Sequence, residues 1–266
     1  MSQNAGGASD TDRRTDAFAW RLVATGLSFA LFGIGGLLLG VSLVPVLLAI
    51  SGNRVIRRQR VRRAIQLSFR SFIGIMRGLG VLTYNLRGFE RLGRPGQLVI
   101  ANHPSLIDVV FLIAFTPGAA CVVKQAVWTN PAMAPGVRGA GYVPNHPTDS
   151  MIERAAAALD EGQTLIMFPE GTRTSPGEPL RFHRGAAAVA TRAASVVTPV
   201  FISVMPTTLT KAAPWYRIPS RRPHFDLAVG EDLDPNPLRT AMPGPRAARA
   251  LNEELLAIYA CRTSAG

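Results

Sequence analysis

Between Leu22 and Asn53 the chain carries no ionisable side chain. A stretch of that length, wound as one α-helix at ~1.5 Å per residue, would run about 45 Å. The hydrocarbon core of a bilayer is only ~30 Å thick, so such a helix must tilt or break. Gly33, Gly35, Gly36 and Pro45 offer places for a break. A soluble core helix would need apolar partners on every face, and a secretory signal is shorter and ends at a small-residue cleavage site. The expectation is a membrane-embedded helical segment over residues 21–53, either one tilted span or a hairpin. Residues 1–20, polar and of mixed charge, are expected to form a disordered tail.

Arginines follow at once, at positions 54, 57, 58, 60, 62 and 63. Through the same run Val61, Ile65, Phe69, Phe72 and Met76 recur at spacings of three and four, which is one helical face. The expectation for residues 54–80 is a basic amphipathic interfacial helix, with arginines toward phosphates and the stripe toward acyl chains. The alternative is a solvated arginine face over a protein core. The formal net charge of +12 is almost wholly arginine, because Lys124 and Lys211 are the only lysines. Such a chain attracts nucleic acid or anionic lipid alike. No aromatic-interleaved basic sheet or zinc spacing is present, so nucleic acid is not expected and membrane lipids are. Only Arg13, Arg14 and Arg21 precede the apolar block, so the positive-inside asymmetry puts the following domain in the cytoplasm. Cys121 and Cys261 show neither disulfide nor metal-ligand spacing, which fits a reducing compartment.

From about Val81 the pattern alternates. Short apolar runs at 81–86, 97–101, 121–123, 164–168 and 199–205, with a weaker one at 224–229, read as strands. Helical stretches lie at 104–115, 150–159, 185–194 and 246–261, and Ser150-x-x-Glu153 is a capping box for the second. Strands alternating with helices imply an α/β fold, a mainly parallel sheet flanked by helices, over residues 81–266. Residues 206–223, rich in proline and basic side chains, read as a surface loop.

Two constellations carry chemistry. Asn102-His103-Pro104 follows a strand and opens a helix, and Pro104 suits a first helical position. Within one helix, residues five apart diverge by about 140°. With His103 outside the helix, its imidazole can fold over the first turn toward Asp108. The carboxylate would then fix the tautomer and leave the other ring nitrogen as a base. A capping histidine beside a solvated aspartate fits the spacing equally well. The second constellation, Phe168-Pro169-Glu170-Gly171-Thr172-Arg173, ends a strand, where functional loops of open α/β sheets collect. Gly171 permits close backbone approach, Arg173 offers a planar fork for a phosphate, and Glu170 can accept hydrogen bonds. A surface Glu–Arg turn is the plainer alternative.

Together, Asn102-His103-x-x-x-x-Asp108 and the 168–173 motif resemble the glycerolipid acyltransferase family, typified by lysophosphatidate acyltransferases. The likeness runs from about residue 98 to 205 and takes in Leu180-x-Phe182-x-x-Gly185-Ala186 and Thr198-Pro199-Val200. The resemblance implies acyl transfer from acyl-CoA or acyl carrier protein to the hydroxyl of a lysophospholipid-like acceptor such as 1-acyl-glycerol-3-phosphate. His103 and Asp108 would be catalytic, and Glu170, Gly171, Thr172 and Arg173 would bind the acceptor, with no metal and no cofactor. Lys124-x-x-x-Trp128-x-x-Pro131 is similar to a family segment whose lysine lies near the site, so Lys124 is a candidate oxyanion support. The implied location is a bacterial inner membrane, with the catalytic domain on the cytoplasmic side.

One block departs from the family pattern. Members that acylate glycerol phosphates carry an arginine after a glycine, whereas Gly141-Tyr142-Val143-Pro144-Asn145-His146-Pro147 has none, and Arg138 lies just upstream. His146 has Met151, not an acidic residue, five positions on. The wording of residues 102–108, 124–131 and 181–185 looks like a bacterial branch associated with aryl polyene pigment clusters, which implies a pigment chain esterified to a lipid-like acceptor. A non-catalytic basic membrane scaffold is the alternative of another class, and retention of both His103 and Asp108 speaks against it.

Overall fold

The computed structural model describes residues 17–50, 52–174, 177–211 and 213–264. Most of the expected tail lies outside these residues. Its last part does not behave as a tail, because helix α1 (Phe18–Leu38) already includes Phe18 and Trp20. The reason is anchoring: Trp20 Nε1 donates to the Leu79 carbonyl at 2.9 Å, and buried Arg21 donates to the carbonyls of Pro219 and Ser220.

Of the places named for a break, the glycines are not used and Pro45 is. Gly33, Gly35 and Gly36 sit within an unbroken α1, and the irregularity is a π-turn at Leu39–Leu43 that leads into α2 (Val44–Ile50). Pro45 explains the position, since its ring removes a hydrogen bond and crowds the preceding turn. By length and composition, residues Phe18–Leu47 suffice to cross a membrane. Even so, the run lies along protein: Phe32 packs on Phe69 and Phe72, and buried Val44 lies beside Gly139.

Helix α3 (Arg54–Gly78) starts where Asn53 caps it, the Asn53 side chain accepting the Val55 amide at 2.8 Å. Its apolar stripe meets protein rather than acyl chains: Val61, Ile65, Phe72 and Met76 are buried and Phe69 packs against the same core. The arginine row is split too. Arg62 is buried and donates to the carbonyls of Ala140 (2.7 Å) and Gly118 (3.0 Å) and to Gln163 Oε1 (2.5 Å), while Arg58 pairs with Glu161 at 3.0 Å. Burial brings the Arg62 guanidinium down to about 10.

The strands are β1 (Thr83–Arg87), β2 (Gln97–Ala101), β3 (Ala120–Val123), β4 (Val143–Pro144), β5 (Leu165–Met167), β6 (Val196–Met205) and β7 (His224–Val229). They form a sheet in the order β1-β7-β6-β2-β5-β3-β4, parallel throughout except for the β6–β7 pair. Every residue of β2 is buried, which requires helices on both faces. The remaining helices are α4 (Asp108–Phe115), α5 (Gln125–Thr129), α6 (Ala134–Gly139), α7 (Thr148–Asp160), α8 (Gly185–Ala193), α9 (Asn236–Ala241) and α10 (Gly244–Ser264). The expected α/β architecture is therefore present. Two local expectations fail. Helix α4 starts at Asp108, so Pro104 is not its first residue, and α7 starts after Pro147, which places Ser150 inside the helix rather than at its cap.

Candidate active site

Strand β2 delivers the first motif at its carboxyl end. Asn102 extends the β2–β6 pairing with its side chain, its Nδ2 donating to the Ile202 carbonyl and its Oδ1 accepting the Ile202 amide, each at 2.8 Å. The chain then leaves the sheet at His103 and passes through four residues before α4 begins. Ser105 turns back here: its amide donates to Asp108 Oδ2 at 2.6 Å.

That same oxygen meets His103 Nδ1 at 2.9 Å. With Asp108 ionised, Nδ1 must carry the proton and donate, which leaves Nε2 as the unprotonated nitrogen. Asp108 is fully buried, and the His103 side chain retains 16% exposure, enough to present its ring to a ligand. Burial pushes the Asp108 carboxyl up, while the His103 ring, the Ser105 amide and the Arg173 guanidinium act against it. Its place at the first residue of α4 also favours the charged form. The other face of the imidazole stacks on Phe168, with ring centroids 4.3 Å apart.

The second motif reaches the same point from β5. Glu170 is buried, and its Oε1 accepts the His103 amide at 2.8 Å. Its Oε2 accepts the Thr174 hydroxyl, and the Thr174 amide donates to the His103 carbonyl at 3.1 Å. Burial raises the Glu170 carboxyl, and those hydrogen bonds oppose the rise. Gly171 adopts φ = +65°, a conformation that costs glycine little, and its Cα faces the His183 ring. Arg173 Nη1 donates to the carbonyls of Leu209 (2.8 Å) and Thr210 (3.0 Å), which ties the loop after β6 to the site.

A cleft of about 710 Å³ opens over this arrangement, lined by His103, Glu170 and Thr174, with Leu180, Val204 and Leu256 among its apolar walls. Helix α10 supplies Leu256, Ala257 and Ala260. Tyr259 holds that helix in place, its hydroxyl donating to the Ile100 carbonyl at 2.7 Å.

The structure thus brings His103, Asp108 and Glu170 together and sets Gly171, Thr172 and Arg173 in the adjoining loop. Lys124 stands apart: it is exposed, at the carboxyl end of β3 before α5, and is not among the cleft-lining residues. Arg138, the residue nearest the departing block, lies over Trp128 and donates to its carbonyl at 3.3 Å. Sequence reasoning assigned no role to Asn102, Phe168, Thr174 or the α10 wall. Asn102 and Phe168 stood inside quoted motifs, so they were within reach; Thr174 fell one residue beyond its motif, and the helix expected at 246–261 carried no sign of its place beside the cleft.

Comparison with known proteins shows what the chain is similar to. The family profile described as "Acyltransferase" matches residues 83–203. The 1-acyl-sn-glycerol-3-phosphate acyltransferase of Helicobacter pylori is 27% identical over 125 residues, 44% of this chain and 53% of that protein. The Pseudomonas aeruginosa protein of the same name is 26% identical over 149 residues, 54% of this chain and 58% of the relative. The chain thus spans a little over half the length of these relatives. In fold, the chain is similar to the crystal structure of the Thermotoga maritima 1-acyl-sn-glycerophosphate acyltransferase PlsC. The TM-score is 0.64 at 21% identity, covering 89% of this chain and 94% of that one. With both motifs converging at the carboxyl edge of a mainly parallel sheet, the chain carries the acyltransferase pattern over residues 83–203 and is similar there to 1-acyl-sn-glycerol-3-phosphate acyltransferases.

Proposed function

We propose that this chain moves a fatty acyl group from an acyl thioester, carried by coenzyme A or acyl carrier protein, to the hydroxyl of 1-acyl-glycerol-3-phosphate or a close analogue. The observation that supports this best is the 2.9 Å contact between His103 Nδ1 and Asp108 Oδ2 beneath an open cleft. In this reading His103 Nε2 takes the proton from the acceptor hydroxyl as its oxygen attacks the thioester carbonyl. The C–S bond then breaks, the sulfur leaves as thiolate, and His103 returns the proton to it. Asp108 never bonds to substrate; it holds the ring and stabilises the imidazolium. Glu170 fixes the backbone that carries the ring, and Arg173 directs positive charge toward an acceptor phosphate.

The membrane supplies the acceptor in this account. Val23, Leu27, Leu31, Ile34 and Val41 project from α1–α2 as one exposed apolar face, which we assign to lipid. The catalytic domain then lies against the cytoplasmic side of a bacterial inner membrane, with the exposed arginines of α3 near phosphates. The relatives named above carry the lysophosphatidate name and do not bear on the aryl polyene branch.

The test is direct. The full chain, given labelled 1-acyl-glycerol-3-phosphate and an acyl thioester, should form the diacylated phosphate. Acylation of a different lipid alone, with this acceptor untouched, would overturn the assignment of the acceptor while leaving acyl transfer in place.

A further inference from the structure

The loop between β6 and β7 is built for more than connection. Residues 206–223 contain Lys211, Arg217, Arg221 and Arg222 and no acidic residue. All four cations are exposed. Between them Trp215 and Tyr216 leave 47% and 59% of their surfaces in solvent, an unusual exposure for large aromatic side chains on a protein surface. The two rings meet edge to face, centroids 5.8 Å apart. Trp215 also packs on the flank of α1, against Phe29 at 6.2 Å and close to Gly26.

Both ends of the loop are clamped. At its start, Arg173 donates to the carbonyls of Leu209 and Thr210, and the Leu106 amide donates to that of Leu209. Toward its end, buried Arg21 of α1 donates to Pro219 and Ser220. The aromatic pair is thereby held beside the apolar face of α1, with the cations around it. Aromatic rings of this amphipathic kind settle at the headgroup level of a bilayer, and each nearby cation gains from anionic lipid.

We propose that the tip of this loop, Lys211 together with residues 213–222, is a second membrane contact that binds anionic phospholipid headgroups. The aromatic pair enters the interfacial layer beside α1, and Lys211, Arg217, Arg221 and Arg222 engage lipid phosphates. The proposal rests on the lipid-facing reading of α1, and the two are separable because α1 serves any bilayer whereas the loop serves an anionic one.

The experiment compares sedimentation of the full chain with phosphatidylcholine vesicles and with mixed phosphatidylcholine–phosphatidylglycerol vesicles. Wild type should bind the mixed vesicles more tightly, and changing Arg217, Arg221 and Arg222 together to Gln should reduce that preference by about tenfold or more. The triple Gln chain should still bind neutral vesicles and should melt as wild type does. The corresponding triple Lys chain, which keeps the charge, should keep the preference. A preference for anionic vesicles that is undiminished in the triple Gln chain would overturn the loop proposal alone, because the exposed arginines of α3 account only for a residual preference. A wild-type chain that binds neither vesicle would overturn both the loop proposal and the reading of α1.

Discussion

Glu170 holds His103 by its backbone: the carboxylate Oε1 accepts the His103 amide at 2.8 Å, across 67 residues of sequence. Its other oxygen is occupied by the Thr174 hydroxyl. The 168–173 motif therefore acts on the His103 motif directly, by setting where the imidazole emerges from β2.

Replacing Glu170 should test this role. Glu170→Ala leaves a buried amide unpaired, a loss of about 1–3 kcal/mol, and lets the His103 corner relax. The expected result is a fall in kcat of about tenfold or more with little change in acceptor KM. Glu170→Gln, which keeps an oxygen for the amide, should recover most of the rate. A rise in acceptor KM with kcat intact would assign Glu170 to the acceptor instead.

Arg62 and Arg54 belong to one basic run yet should differ sharply. Arg62→Ala strips partners from Gly118, Ala140 and Gln163 in a buried setting, and should cost about 3 kcal/mol or more, read by thermal melting. Exposed Arg54→Ala should stay within about 0.5 kcal/mol. Equal melting temperatures for the two variants would refute the internal role of Arg62.

Acid stability should draw on Asp232. Partial burial acts to raise its carboxyl, but hydrogen bonds from Arg94, Thr198 and Arg91 outweigh that and hold it at about 2. A depressed folded-state value stabilises the fold above the unfolded value near ~4 and is lost as pH falls toward about 2. Asp232→Asn should therefore lower the melting temperature at neutral pH, and the gap from wild type should close between those two values. A gap that stays constant with pH would show that the charge is not responsible.

How far the sequence could be read depended on the range of the interaction. Strand β2 occupies the residues its apolar run marked, because buried parallel strands are continuous apolar segments, and β7, half-buried and antiparallel to β6, falls on the weaker run at 224–229. The short elements β4, α5 and α6 escaped notice, since two to six residues carry no usable periodicity. The stripe on α3 was read correctly as a helical face but not for its partner. Nothing in its spacing distinguishes acyl chains from Phe29, Phe32 and the sheet domain. Pro104 and Ser150 were both strong local start signals, and both were overridden: the one by the Ser105–Asp108 turn, the other by Pro147 immediately before Thr148. At the site, each motif was visible by itself. Their contact was not, because a hydrogen bond across 67 residues leaves no trace in local pattern.

The account turns on His103 as the base. The most direct measurement is the rate of labelled acyl transfer by His103→Ala against wild type, in detergent-solubilised protein of equal expression, membrane recovery and melting temperature. The account predicts a loss of at least about 10²-fold, the lower end of what a positioned general base contributes. Transfer at the wild-type rate by the variant would contradict it.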